Sequence, residues 1–153
     1  MTPAHRRERN GFTFIELAIV VAILGLIAAL SLPGAMKSVS HYRLGTASRG
    51  LVSDLRLARH LALKENRPVR VNFLTQRSYR IERFVAGSWT PAFGKVDFAE
   101  DHTRRGIIFS ITPSPVEFDY VGRVTAAAQM TLLSDTGETR LIEVHTTGRI
   151  IEY

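Results

Sequence analysis

The sequence predicts an α+β fold in which a long N-terminal helix packs on an antiparallel β-sheet domain. Three observations carry that expectation: an unbroken apolar run from Phe12 to Leu32, a second stretch of helical periodicity from Leu44 to Ala62, and a series of short, turn-bounded strand patterns after Pro68. Of the 153 residues, roughly 120 follow the leader and the apolar run, enough for one small domain with its own core and too few for two. The expected segments are a leader at 1–11, an apolar helix at 12–32, an amphipathic helix at 33–66 and a β-rich domain at 67–153.

In chain order, Arg6, Arg7 and Arg9 with Glu8 form a short basic leader that ends at Gly11. From Phe12 to Leu32 the only strongly polar side chain is Glu16. About 20 helical residues cover roughly 30 Å, one hydrocarbon thickness, so the run is long enough to cross a lipid bilayer once. The arginines before it hold the leader in the cytoplasm and send the C-terminal domain outward. In a bacterium this places the domain in the periplasm. A carboxylate in such a run costs on the order of 2.5 to 3.5 kcal/mol at the helix centre and less near an end. Glu16 lies about one turn inside, so its natural partner is a positive charge level with the start of the run, such as a free amine on a neighbouring copy. Cleavage after Gly11 would create that amine on Phe12. A secretory signal peptide fits poorly, since its apolar region is about 7 to 15 residues long and ends in an Ala-x-Ala type site. A plain single-pass anchor leaves the motif around Gly11 unexplained.

After Pro33-Gly34, where an interruption of the helix is expected, apolar residues recur at Leu44, Ala47, Leu51, Leu55, Ala58 and Ala62, the three-and-four spacing of one helix face. The other faces carry Arg43, Arg49, Asp54, Arg56, Arg59 and Lys64. Pro68 disfavours a helical Arg67, so the helix should stop near Asn66. Val69 to Leu74 and Tyr79 to Val85 read as a hairpin through Thr75 to Ser78. Gly87 to Pro91 is a turn-rich break, Phe93 to Phe98 a short strand, and Asp101 to Gly106 a polar loop. Ile107 to Ile111 and Val116 to Tyr120 are strands divided by Thr112-Pro113-Ser114-Pro115, a segment no central strand tolerates. Met130 to Leu133 and Arg140 to Val144 flank the turn at 134–138, and Arg149 to Tyr153 forms a last strand.

Gly11-Phe12-Thr13-Phe14-Ile15-Glu16-Leu17 resembles the start of the type IV pilins and type II secretion pseudopilins, with Phe14 where leucine is usual. The resemblance implies a pilin-like fold and a structural, non-enzymatic subunit. It further implies that a prepilin peptidase cuts between Gly11 and Phe12 and methylates the Phe12 amine, that Glu16 recruits this amine on an adjacent subunit, and that Pro33 occupies the place of a helix-disrupting proline. Other pseudopilins or pilins, the peptidase/methyltransferase, an inner-membrane assembly platform and the lipid bilayer are the implied partners. Leu51 to Arg59 with Asn66-Arg67-Pro68-Val69, and Arg140 to Val144 with Thr147-Gly148-Arg149-Ile150, are similar to the GspH/FimT branch. Within it the implied function is that of a minor pseudopilin of type II secretion, anchored in the inner membrane and assembled into a periplasmic filament. The alternative is a FimT-like minor type IV pilin serving pilus biogenesis or DNA uptake.

Little else in the chain suggests chemistry. There is no cysteine, hence no disulfide or thiolate site. No nucleophile elbow, P-loop or His-Glu-x-x-His occurs, the five histidines lack ligand spacing, and neither a cofactor nor a metal is expected. His60 and His145 read as structural or solvated. Glu117 and Asp119, two apart on a strand, share a face but read as solvated rather than as an acid and base pair. Asp97, Glu100 and Asp101 form the densest acidic cluster, without EF-hand spacing. The net charge is +6, of which the leader's three arginines less one glutamate supply +2, leaving +4. The branch's DNA-uptake members carry Gly-Arg-x-Arg, whereas this chain has Gly148-Arg149-Ile150-Ile151 followed by Glu152, which would repel phosphate. Arg149 is the residue named as a DNA contact, Arg104-Arg105 would offer a second basic point but read as solvated, and nucleic acid is not an expected partner.

Overall fold

The computed structural model describes residues 12–112 and 114–153, with side chains described outside 30–37. Gly11 and Pro113 lie outside the described residues. The chain divides into two compact units, Met1–Met36 and Lys37–Tyr153. A helix, α1, runs over Phe14–Glu65. The helix interruption expected at Pro33 falls within 30–37, outside the fully described residues.

In the first unit every described side chain from Phe12 to Ala29 is exposed, whichever side of the helix it occupies. Phe14 is 87% and Leu26 64% exposed. Among the described residues no helix is long and apolar enough to cross a membrane. The described side chains stop at Ala29, while the apolar run continues in the sequence to Leu32.

The second unit packs the C-terminal part of α1 on two antiparallel sheets. Strands β1 (Val69–Thr75), β2 (Ser78–Val85), β3 (Ser88–Pro91), β4 (Val96–Asp97) and β6 (Val116–Phe118) form the first, in the order β3-β2-β1-β6, with β4 also on β2. The second has the order β5-β7-β8-β9, from Ile108–Thr112, Ala128–Leu133, Thr139–Val144 and Ile150–Glu152. The expected stripe is the buried face of the helix: Leu44 and Ala47 to Ala62 along it are at most 2% exposed. It meets Val69, Val71, Tyr79 and Ile81 from the first sheet and Met130, Leu132, Ile142 and Val144 from the second in one core. Each large aliphatic side chain buried there contributes roughly 1.5–3 kcal/mol.

The helix ends where Pro68 requires. Asn66 takes a φ of 50°, and the Arg67 amide donates to the Ala62 carbonyl at 3.3 Å, a closing turn that satisfies an otherwise orphan carbonyl. The Val69 to Leu74 and Tyr79 to Val85 hairpin forms in register, Val71 opposite Ile81. One element departs from expectation: Ser88–Pro91 is a strand rather than a break. Ala86 and Gly87, with φ of 50° and 82°, supply the tight turn before it. Pro91 ends an edge strand, where its missing donor removes no necessary ladder bond.

Candidate functional site

The start of α1 is the first site. Thr13 precedes the first helical residue, and its Oγ1 accepts the Glu16 amide at 3.3 Å while its carbonyl accepts the Leu17 amide at 3.2 Å. Thr13-x-x-Glu16 thus makes one half of a capping box, and Glu16 sits in the first turn, where the helix dipole favours a negative charge by about 0.3–1 kcal/mol. The reciprocal bond from the Glu16 carboxylate is not formed. Among the described residues that carboxylate has no ion-pair partner. Phe12 lies just outside the helix, 82% exposed. The Thr13-x-x-Glu16 spacing supplies a local reason for an acid at this position. It does not engage the carboxylate itself.

The second site is the C-terminal Gly148-Arg149. Gly148 and Gly122 both have a φ of 77°, and they meet back to back. A Cβ on Gly148 would collide with the Gly122 carbonyl oxygen and come within 2.9 Å of Arg59 Nε. Arg59 Nε donates to that same carbonyl at 3.0 Å. The glycine half of the motif is therefore demanded by packing. Arg149 is exposed and, among the described residues, makes no ion pair. Glu152, expected to repel phosphate near Arg149, has its Oε1 accepting Ser48 Oγ at 2.6 Å and pairing with Arg140 Nη1 at 3.1 Å.

Several polar groups expected on free faces are instead ties between the helix and the domain. Asp54 Oδ2 accepts the Tyr79 hydroxyl at 2.6 Å. Burial, reinforced by the Asp54 bond and charge, pushes the Tyr79 hydroxyl far above the usual phenol range. Arg104 lies across the helix so closely that a Cβ on Gly50 would stand 2.8 Å from its Nη2. It also sits 5.4 Å from the Phe98 ring centroid. Ser40 Oγ donates to Asp135 at 2.6 Å. These pairs join residues far apart in sequence and carry no local signal. Within the first sheet Glu82, 7% exposed, accepts Arg70 Nε at 2.8 Å from the residue opposite it on β1.

Asp97, Asp101 and Asp119, three of the acids weighed for metal or proton chemistry, accept hydrogen bonds within the domain. Asp97 pairs with Lys95 at 2.7 Å and accepts the Ala99 amide; the Lys95 bond holds its carboxyl below the usual range. Asp101 is lowered as well, first by the Thr103 hydroxyl. Asp119 Oδ1 accepts the Val121 and Arg123 amides at 2.9 and 2.8 Å, capping a turn. Glu117 lies opposite Arg70. Among the described residues no group of three His, Asp or Glu is placed to hold a metal ion. A surface cleft of about 610 Å³ is lined by Asp119, Arg123, Thr125 and Thr146 among others.

Two family models match the chain. Residues 6–32 match the prokaryotic N-terminal methylation motif, and residues 47–148 match the type II transport protein GspH family. No curated protein sequence matches the chain. Among solved structures, the type IV minor pilin FimU of Pseudomonas aeruginosa is 18% identical with a TM-score of 0.60, covering 72% of this chain and 87% of FimU. The minor pseudopilin EpsH of the Vibrio cholerae type 2 secretion system is 13% identical with a TM-score of 0.60, covering 72% and 96%. Escherichia coli GspH is 15% identical with a TM-score of 0.51, covering 76% and 88%. At such identities the structural likeness establishes the fold.

Proposed function

We propose that this chain, which belongs to the type II transport protein GspH family and is a minor pseudopilin, acts as a bacterial inner-membrane subunit that leaves the bilayer to enter a periplasmic filament. The family is structural, and its members assemble with other pilin-type subunits after prepilin processing. For this chain the reading assigns cleavage to the Gly11–Phe12 bond, methylation to the Phe12 amine, and recruitment to Glu16, with a single apolar segment at 12–32 as anchor and an inner-membrane platform as assembly partner. The observation that carries it is the all-round exposure of the apolar helix from Phe12 to Ala29 beside an unpaired Glu16 carboxylate. A helix apolar on every side needs lipid or other such helices around it.

Processing is tested by mass spectrometry of protein from a host with prepilin peptidase: residues 1–11 should be gone and Phe12 should carry a methyl group. An intact leader would sink the assignment. A bulky residue at position 11 should leave the precursor in the membrane. Glu16→Gln separates the two accounts of Glu16. Glutamine serves a capping box as well as glutamate does, so capping alone predicts normal filament entry, whereas charge recruitment predicts its loss.

A FimT-like minor pilin is the second reading, favoured by the equal fold likeness to FimU. Duplex DNA binding by Arg149 would then be expected at low salt, falling steeply as salt rises. With a lone arginine, binding no tighter than roughly 10⁻⁴ to 10⁻⁶ M is expected. Micromolar or tighter binding abolished by Arg149→Ala would reverse the ranking.

A further inference from the structure

We propose that the outward face of α1 between Arg49 and Lys64, with the adjoining turn Tyr120–Arg123, is the docking surface for a different, acidic subunit of the same filament; this rests on the filament reading above. Arg49, Ser53, Arg56, His60 and Lys64 follow one another at steps of three and four, so they share one face of the helix, and all five are exposed. They run over roughly 22 Å of helix axis.

No acid interrupts this row. The helix from Lys37 to Glu65 contains only two acids, Asp54 and Glu65, and both point their carboxylates elsewhere: Asp54 to Tyr79, Glu65 to Arg67 and Arg83. Elsewhere in the domain Arg67, Arg70, Arg83, Arg104 and Arg140 each lie within 3.5 Å of a carboxylate oxygen, and arginines that make no ion pair among the described residues, such as Arg77, Arg80 and Arg105, are not aligned on one helix face. Among the described residues Arg49, Arg56, His60 and Lys64 make no ion pair. A face of one sign, left uncompensated within its own subunit, is complementary to carboxylates on another.

The apolar residues beside the row decide the class of partner. Leu57 is 37%, Leu63 47% and Val121 49% exposed. The Tyr120–Arg123 turn is held against this side of the helix by the Arg59 bond to the Gly122 carbonyl, and a Cβ on Gly122 would stand 3.3 Å from both Leu63 methyls. Arg123, also exposed, extends the positive charge onto the turn. Phosphates reward the cations alone, while a protein face rewards both the cations and burial of the aliphatic side chains beside them. A second copy of this chain is disfavoured by the net charge of +4 that remains beyond the leader, +6 less +2, which sets like charge against like.

The test uses the full chain in its own host. Arg49→Glu, Arg56→Glu and Lys64→Glu are combined, and chemical cross-links to other filament subunits, identified by mass spectrometry, are measured beside secretion and the melting temperature in detergent. The expected result is at least a tenfold loss of heteromeric cross-links and of secretion with melting unchanged, an intermediate loss for the three glutamine variants, and weaker cross-linking of the parent as salt rises from about 0.05 to 0.5 M. Unchanged cross-links and secretion would overturn the proposal. So would a cross-linked species made of two copies of this chain, or loss of binding to duplex DNA or to phosphatidylglycerol vesicles while filament entry stays normal. Glu16→Leu is run alongside: if it too secretes normally, the filament reading fails, and if it alone blocks secretion, only the docking surface fails.

Discussion

The two ends of α1 are made of similar residues and behave oppositely. From Phe14 to Ala29 the helix is apolar on all sides and exposed on all sides. From Leu44 to Ala62 its apolar residues are confined to one stripe, and the stripe is buried between two sheets. The spacing of the apolar residues therefore separates the two parts. An apolar stripe is matched by a folded domain of the same subunit, while a helix apolar all round must find its environment outside the subunit. The stability of the domain rests on the second part, and in the function proposed above assembly rests on the first.

Leucine truncation probes this division most strongly. Leu55→Ala, at a site 0% exposed, should destabilise the domain by about 3–5 kcal/mol. Ile23→Ala, at a site 52% exposed, should change domain melting by less than about 0.5 kcal/mol and show its effect only in filament entry. Equal effects of the two on thermal unfolding of the full chain would erase the distinction.

Gly148→Ala is the next test, because it places a side chain where neither the backbone nor the neighbouring turn admits one. With φ at 77° and the Gly122 carbonyl in the way, the expected loss is about 3 kcal/mol. Melting of the full chain should fall by roughly 10–20 °C. Little change would mean that the turn at Gly122 shifts freely, and the glycine would then have to be explained by what Arg149 does.

Tyr79→Phe should cost about 1.5–3 kcal/mol, since it leaves the Asp54 carboxylate without its hydroxyl donor. The sign of the pH effect follows from the raised Tyr79 value. The folded state favours the neutral phenol, so that stabilisation is present below the unfolded tyrosine pKa of about 10 and is lost as pH rises above it. The parent protein should therefore lose stability between about pH 10 and 11.5 more steeply than Tyr79→Phe, as read by denaturant midpoints across that range. Parallel curves would remove Tyr79 as the alkaline-sensitive group.

How far the sequence was legible follows the range of the interactions. The stripe at Leu44 to Ala62, the stop before Pro68, the hairpins at Val69 to Val85 and Met130 to Val144, and the motif from Gly11 to Glu16 are all local patterns. The strand at Ser88–Pro91 was hidden because its glycine and proline read as punctuation, and only pairing with β2 shows that proline is harmless on an edge.

By itself the sequence determined the α+β class, the face that the helix buries, the pilin-type start and the absence of any local catalytic motif, because each is written in residues within a few positions of one another. The tertiary structure alone decided the rest. Ile108–Thr112 and Val116–Phe118, similar strands only a few residues apart, go to different sheets, a choice made by the surfaces available to each. It likewise decided that Asp54, Arg59, Arg104 and Glu152 tie the helix to the domain while Arg49, Arg56, His60 and Lys64 on the same helix face outward. Whether a charged residue is a tie or a free surface depends on which partner the fold brings within about 3 Å, and that partner lies tens of residues away.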